Sequence, residues 1–193
     1  MTTLTRNFFA LMAAGMVATG SMAMQPAEHT AAKERISADY KMHKAKCSAM
    51  RANAKDICMK EAKGAENVAK AELEAQYRPS DKASYQARVA HADANYGVAK
   101  EKCDDLAGNA KDVCKKDAKA DHVHAVENAK VAKVLAQPAT SAAEKGAAVA
   151  EVRKDAAAEK READYKAAKE RCDAMVGDLK SKCVDDAKRM YAQ

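Results

Sequence analysis

Cys103-Asp104-Asp105-Leu106-Ala107-Gly108-Asn109-Ala110-Lys111-Asp112-Val113-Cys114 is one copy of a phrase that the chain uses three times. Aligning on the cysteines sets Cys47 and Cys58, Cys103 and Cys114, and Cys172 and Cys183 in register at one shared interval. Self-similarity of this kind marks a repeat architecture. The agreement extends outward. Tyr40, Tyr96 and Tyr165 precede the first cysteine by one heptad, followed by Lys44, Lys100 and Lys169, and Ala62-Lys63, Ala118-Lys119 and Ala187-Lys188 come after the second cysteine.

On one unbroken helix, rising about 1.5 Å per residue, the two cysteines of a pair would stand roughly 16 Å apart. A disulfide needs their Cα atoms within about 7 Å. A bridge inside a pair therefore demands that the chain reverse between its cysteines, and the middle of the interval holds Ala52-Asn53, Gly108-Asn109 and Gly177-Asp178. Gly suits the left-handed position just past a helix end, and Asn or Asp can cap the next helix. Asp56 and Asp112, three residues beyond, suit a helix N-terminus through its dipole. The pattern predicts three αα-hairpins, each clamped by a disulfide: Cys47 with Cys58, Cys103 with Cys114, Cys172 with Cys183. Bridges between repeats and metal ligation are the alternatives. Three pairs do not match up evenly between repeats, and metal sites use tighter cysteine spacing.

Residues 1–23 read as an export signal, with Arg6 in a short basic region, an apolar run from Phe8 through Val17, and small residues at Ser21 and Ala23. Cleavage is expected after Ala23. Export and evenly paired cysteines agree, because disulfides persist in oxidising compartments such as the periplasm. The remaining chain has no long apolar run, so no stable membrane insertion is expected after cleavage.

The formal charge is +6, with basic and acidic residues interspersed. Glu66 with Lys70, Asp112 with Lys116, Glu162 with Lys166 and Asp178 with Lys182 stand four apart, the spacing of a solvated helix surface. A nucleic-acid patch would cluster its cations among stacking aromatics, so nucleic acid is not an expected partner. Beyond the signal there is no Phe or Trp, and Ala dominates the apolar residues. Ala, Lys, Glu and Arg form helices readily. Pro79 and Pro138 punctuate the chain between repeats, with Ser80 or Asp81 placed to cap the helix beyond the first and Gln137-Pro138-Ala139-Thr140-Ser141 separating the second repeat from the third. A heptad seam runs through Tyr85, Val89, Ala92, Tyr96, Ala99, Cys103 and Leu106. Thinner counterparts contain Ile36, Tyr40, Cys47 and Met50, and Ala158, Tyr165, Ala168, Cys172 and Met175. Such Ala-rich stripes bury little area, so each hairpin needs its disulfide or a neighbour. Long helices bent at Pro79 and Pro138 are the expectation.

Chemistry-bearing motifs are sparse. His122 and His124 stand two apart and point to different faces of a helix, so a metal site there would need His91 or Asp117 as a converging ligand. No nucleophile elbow, phosphate loop or Cys-x-x-Cys motif occurs, so neither an enzyme nor a cofactor is expected.

The phrases Ala94-Asn95-Tyr96 through Cys114 and Ala163-Asp164-Tyr165 through Cys183 resemble a group of small exported Ala/Lys-rich proteins of Gram-negative bacteria with repeated paired cysteines. These are mostly uncharacterised, and some are loosely labelled TolA-like. The resemblance spans nearly the whole chain after the signal and implies no activity and no site residues.

The expected organisation is all-α and extended: signal peptide 1–23, hairpin repeats 24–78 and 79–137, a helical linker 138–150, and hairpin repeat 151–193. The expected role is structural or interactive within the cell envelope, with envelope proteins or self-association as partners. Binding of metal ions or anionic envelope polymers is the alternative, as is a stress-related holdase role.

Overall fold

The computed structural model describes residues 24–193; the signal expected at 1–23 lies outside the described residues. Six α-helices run through these residues: α1 (Pro26–Cys47), α2 (Ala52–Tyr77), α3 (Asp81–Lys102), α4 (Gly108–Ala136), α5 (Ala142–Cys172) and α6 (Gly177–Tyr191). A single 3₁₀ turn, Cys103–Asp105, continues α3 toward its clamp.

The three repeats turn in the same way. Each first arm closes with a backbone hydrogen bond back to its cysteine, from Met50 N to Cys47 O, Leu106 N to Cys103 O and Met175 N to Cys172 O. Arg51, Ala107 and Val176 are extended. The next residue is left-handed, with φ of 48° at Ala52, 55° at Gly108 and 58° at Gly177. Two repeats place Gly where positive φ carries no Cβ penalty, and the first places Ala there instead.

At the opposite end the helices meet around the prolines. Ser80 accepts from Ala83 N to open α3, and Ser141 accepts from Glu144 N to open α5, both at 3.1 Å. Lys145 Nζ donates to the carbonyls of Val134 and Gln137, satisfying the end of α4. These junctions reverse the chain. The expected bend at Pro79 or Pro138 is corrected to a full hairpin turn, because α2 lies antiparallel against α3 and α4 against α5. Residues 142–150 of the connecting stretch are the first turns of α5, with Val149 buried.

All substantial packing is between sequence neighbours, α1 on α2, α2 on α3, and so on to α5 on α6. The helices thus stand in an up-and-down row with all three clamped turns at one end. The core is a ladder of alanines, among them Ala62, Ala92, Ala118, Ala156, Ala167 and Ala187, and the largest fully buried side chains are Cys47, Cys103 and Cys172. The central seam packs as its spacing predicts through Ala92 and Cys103, with Tyr85, Val89 and Tyr96 half-buried. It stops at the cysteine: Met50, Leu106 and Met175 lie past the helix ends and are 46%, 44% and 42% exposed. Ala158 is also exposed.

Candidate functional site

The feature repeated most faithfully is the clamp. Cys47–Cys58, Cys103–Cys114 and Cys172–Cys183 are disulfides, with Cα atoms 5.4, 5.6 and 5.7 Å apart. The first cysteine of each pair is sealed between the arms. Buried, oxidised sulfur is a staple rather than a nucleophile, and disulfides persist where the environment is not reducing.

The repeated flanks serve the same joint. Ala62, Ala118 and Ala187, one turn beyond the second cysteine, are buried against the first arm. Lys63 lies over the Tyr40 ring at 5.3 Å and Lys119 over Tyr96 at 5.4 Å, so the heptad tyrosine and the Ala-Lys pair meet across the hairpin as a cation–π contact. Salt bridges pin the turns. Asp104 takes both Lys111 and Lys115 at 2.8 Å, and Asp173 takes Lys180 at 2.8 Å in the matching place. Hydrogen bonds from Lys111 and Lys115 hold the Asp104 carboxyl down at about 2, and Lys180 lowers Asp173 likewise.

A second recurring joint links one hairpin to the next. Asn53 Nδ2 donates to Glu101 O, and Asn109 Nδ2 to Glu170 O, both at 3.0 Å. These asparagines do not cap their own helices; they reach across to the following repeat. Seven residues on, Lys60 meets Glu101 at 3.8 Å and Lys116 meets Glu170 at 3.9 Å. Arg171 adds a bond to Asp117 at 2.5 Å. Gly64 of α2 lies against Ala94 of α3 so closely that a Cβ on it would stand 2.9 Å from the Ala94 Cβ. Ala120 holds the same register in α4 and is buried with Ala163 and Ala167 of α5.

Four histidines bridge neighbouring helices to carboxylates. His29 meets Glu74 at 2.9 Å, His91 meets Glu72 at 2.7 Å, His122 meets Asp93 at 2.6 Å and His124 meets Asp164 at 2.9 Å. His29 also stacks on Tyr77, its ring centroid 4.0 Å away. His122 and His124 thus serve opposite neighbours, α3 and α5. No group of three His, Cys, Asp or Glu side chains converges as a metal site among the described residues. His43 is exposed, on the rim of a shallow groove beside Tyr40 and Glu66.

Sequence reading misplaces one acid. Glu66, assigned to a solvated surface, has a side chain only 6% exposed and is gripped by Lys63 at 2.7 Å and Lys70 at 2.6 Å. Hydrogen bonds from Lys63 and then Lys70 keep its carboxyl below the usual range, and the same contact raises Lys63. Glu127 is buried likewise and pairs with Lys130 at 2.6 Å. Of the other four-residue pairs, Glu162–Lys166 forms at 3.0 Å, whereas Lys116 turns to α5.

A groove of about 490 Å³ lies between α5 and α6 and is lined by Met175, Leu179, Met190 and Tyr191, with Arg171 and Asp186 among its polar residues. No described helix is long and apolar enough to cross a membrane. Comparison with protein-family models, curated proteins and solved structures returns no match.

Proposed function

We propose that the protein is a non-enzymatic structural or interaction element of the periplasm, a clamped helical row that presents its turns to other components of the cell envelope. The observation that carries this reading is the residue three places after each first cysteine. It is large and apolar in every repeat, as Met50, Leu106 and Met175, and it is exposed at every clamped turn. Other shared features go into the fold: the cysteines into clamps and, in the first two repeats, Tyr40 with Lys63 and Tyr96 with Lys119 into contacts across the hairpin. An apolar side chain kept at three equivalent tips without helping to bury the core fits an interaction edge. With helices about 8–10 Å apart, the tips recur every 16–20 Å or so along one end of the row.

Its resemblance to exported Ala/Lys-rich proteins of Gram-negative bacteria supports the periplasmic setting, as do the disulfides. Crosslinking in periplasmic extract tests the role. A photoreactive group placed at Met50, Leu106 or Met175 should capture a defined set of envelope proteins, and the same group at exposed Lys154 should not. Capture only of unfolded clients would favour a holdase. Salt-sensitive binding of anionic polymer, with no protein captured, would favour the electrostatic alternative.

A further inference from the structure

The two ends of the row differ. In α2 and α4 the edge that receives the next hairpin carries Asn53 and Asn109, Ile57 and Val113, Lys60 and Lys116, and Gly64 and Ala120. The matching residues of α6 are Asp178, Lys182, Asp185 and Arg189, all exposed. The amide donor has become an anion, the apolar contact and the close-approach residue have become long cations, and the lysine that would meet a glutamate is now an aspartate. Continuing the row past α6 would desolvate four charges and drive Arg189 into the helix–helix contact. Terminal repeats of solenoids carry such polar outer faces. The carboxyl-terminal hairpin is therefore a cap.

The outer edge of α1 is not capped. The edges of α3 and α5 that dock on the preceding hairpin carry Ala87, Ala94 and Val98, and Ala156, Ala163 and Ala167, of which the three in α5 are buried. In the same register α1 carries Ala31, Ala38 and Met42, all exposed, with Met42 49% exposed. At the next docking position the glutamate of the other repeats, Glu101 or Glu170, is Ala45. The docking face is thus intact in sequence and, among the described residues, has no helix against it.

We infer that this face joins a second copy of the chain, α1 against α1, antiparallel about a two-fold axis near Ala38. Its charge pattern is self-complementary. Glu34 and Lys41 flank the apolar stripe on one side, seven residues apart and of opposite sign. An antiparallel two-fold near Ala38 places Ala31 of each copy against Ala45 of the other and sets Glu34 of each beside Lys41 of the other. Flanking charges of this kind fix orientation and partner choice between paired helices. A parallel arrangement would oppose like charges, and attachment to α6 of another copy meets the capped edge. An isologous contact uses up the open edge, so assembly stops at a dimer whose outer ends are both caps. One helix pair rich in alanine buries a small area, so the association is a weak one, with a Kd of micromolar order or above.

Sedimentation analysis of the oxidised, signal-free chain across such concentrations tests this. The expected result is a reversible monomer–dimer equilibrium with no larger species. Ala38→Arg places two cations at the axis and abolishes the dimer, and exposed Met42→Lys does the same from an adjacent site. Glu34→Lys weakens the dimer roughly fivefold or more, and Glu34→Lys combined with Lys41→Glu restores it. Helical circular dichroism and intact disulfides confirm that each variant is folded. A chain that stays monomeric throughout, a dimer indifferent to Ala38→Arg and Met42→Lys, or a double swap that fails to restore association would overturn the inference.

Discussion

At the residue scale the three clamped turns form an internal mutation series on one backbone. Ala52, Gly108 and Gly177 all hold positive φ, and nothing lies within 4 Å of where a Cβ on Gly108 or Gly177 would sit. The difference between Ala and Gly there is conformational rather than steric. A left-handed L-residue costs about 1–2 kcal/mol, part of which Gly returns through its freer unfolded chain. Ala52→Gly should raise stability in urea by about 0.5–1 kcal/mol, and Gly108→Ala should lower it by a similar amount. The acids give a second prediction, in pH. Asp104 and Glu66 have folded pKa values below those of free carboxylates. A depressed carboxylate contributes stability that is present above its unfolded pKa and is lost as pH falls through its folded pKa. For Asp104 that window runs from the ordinary aspartate value down to about 2. Denaturation profiles from neutral to strongly acid pH should therefore fall across this range, and Asp104→Asn should flatten the most acid part. Residue chemistry was only half legible in sequence. The capping role of Ser80 follows from its position beside a proline, and Ser141 does the same for α5. The reach of Asn53 and Asn109 to another repeat does not, because an amide next to a turn suits either task. The available signal was recurrence: Asn and Lys seven apart appear in the first two repeats, and both become Asp in the third.

At the element scale the decisive contact is Gly64 against Ala94, where α2 and α3 approach most closely. A methyl at Gly64 would meet the Ala94 Cβ at 2.9 Å, inside any normal contact. Overpacking of this kind costs about 1–3 kcal/mol, so Gly64→Ala should lower the midpoint of thermal unfolding. Ala94→Gly in the same chain should recover part of the loss by restoring room. Helix existence and type were legible from composition, and helix ends from cysteines and prolines. What escaped was side-by-side packing of α2 on α3 and of α4 on α5. A proline between two helical stretches reads equally as a bend or a reversal. The choice was made by surfaces on both sides, Gly64 with Ala94 and Ala120 with Ala163 and Ala167, whose partnership spans residues far apart in sequence.

At the scale of the whole molecule, a row in which, among the described residues, each helix packs chiefly on its neighbours has unequal ends and middle. The central clamp, Cys103–Cys114, joins helices that also pack on α2 and α5, whereas α6, among the described residues, packs substantially on α5 and no other helix. Closing a loop of this length contributes about 3 kcal/mol. Replacing Cys172 and Cys183 with Ala should release α6 to fast amide exchange while α2 to α4 stay protected, and the same change at Cys103 and Cys114 should lower stability without freeing a single helix. Buried Glu66 and Glu127 belong to this scale too, since only the assembled row covers them. Everything in the row depends on each repeated cysteine pair closing its own hairpin, because that pairing alone allows six short-turned helices to stand side by side. A peptide map of the non-reduced protein is the sharpest check: the expected linkages are Cys47 with Cys58, Cys103 with Cys114 and Cys172 with Cys183, and a peptide joining Cys47 to Cys114, or any other bridge between repeats, would contradict them.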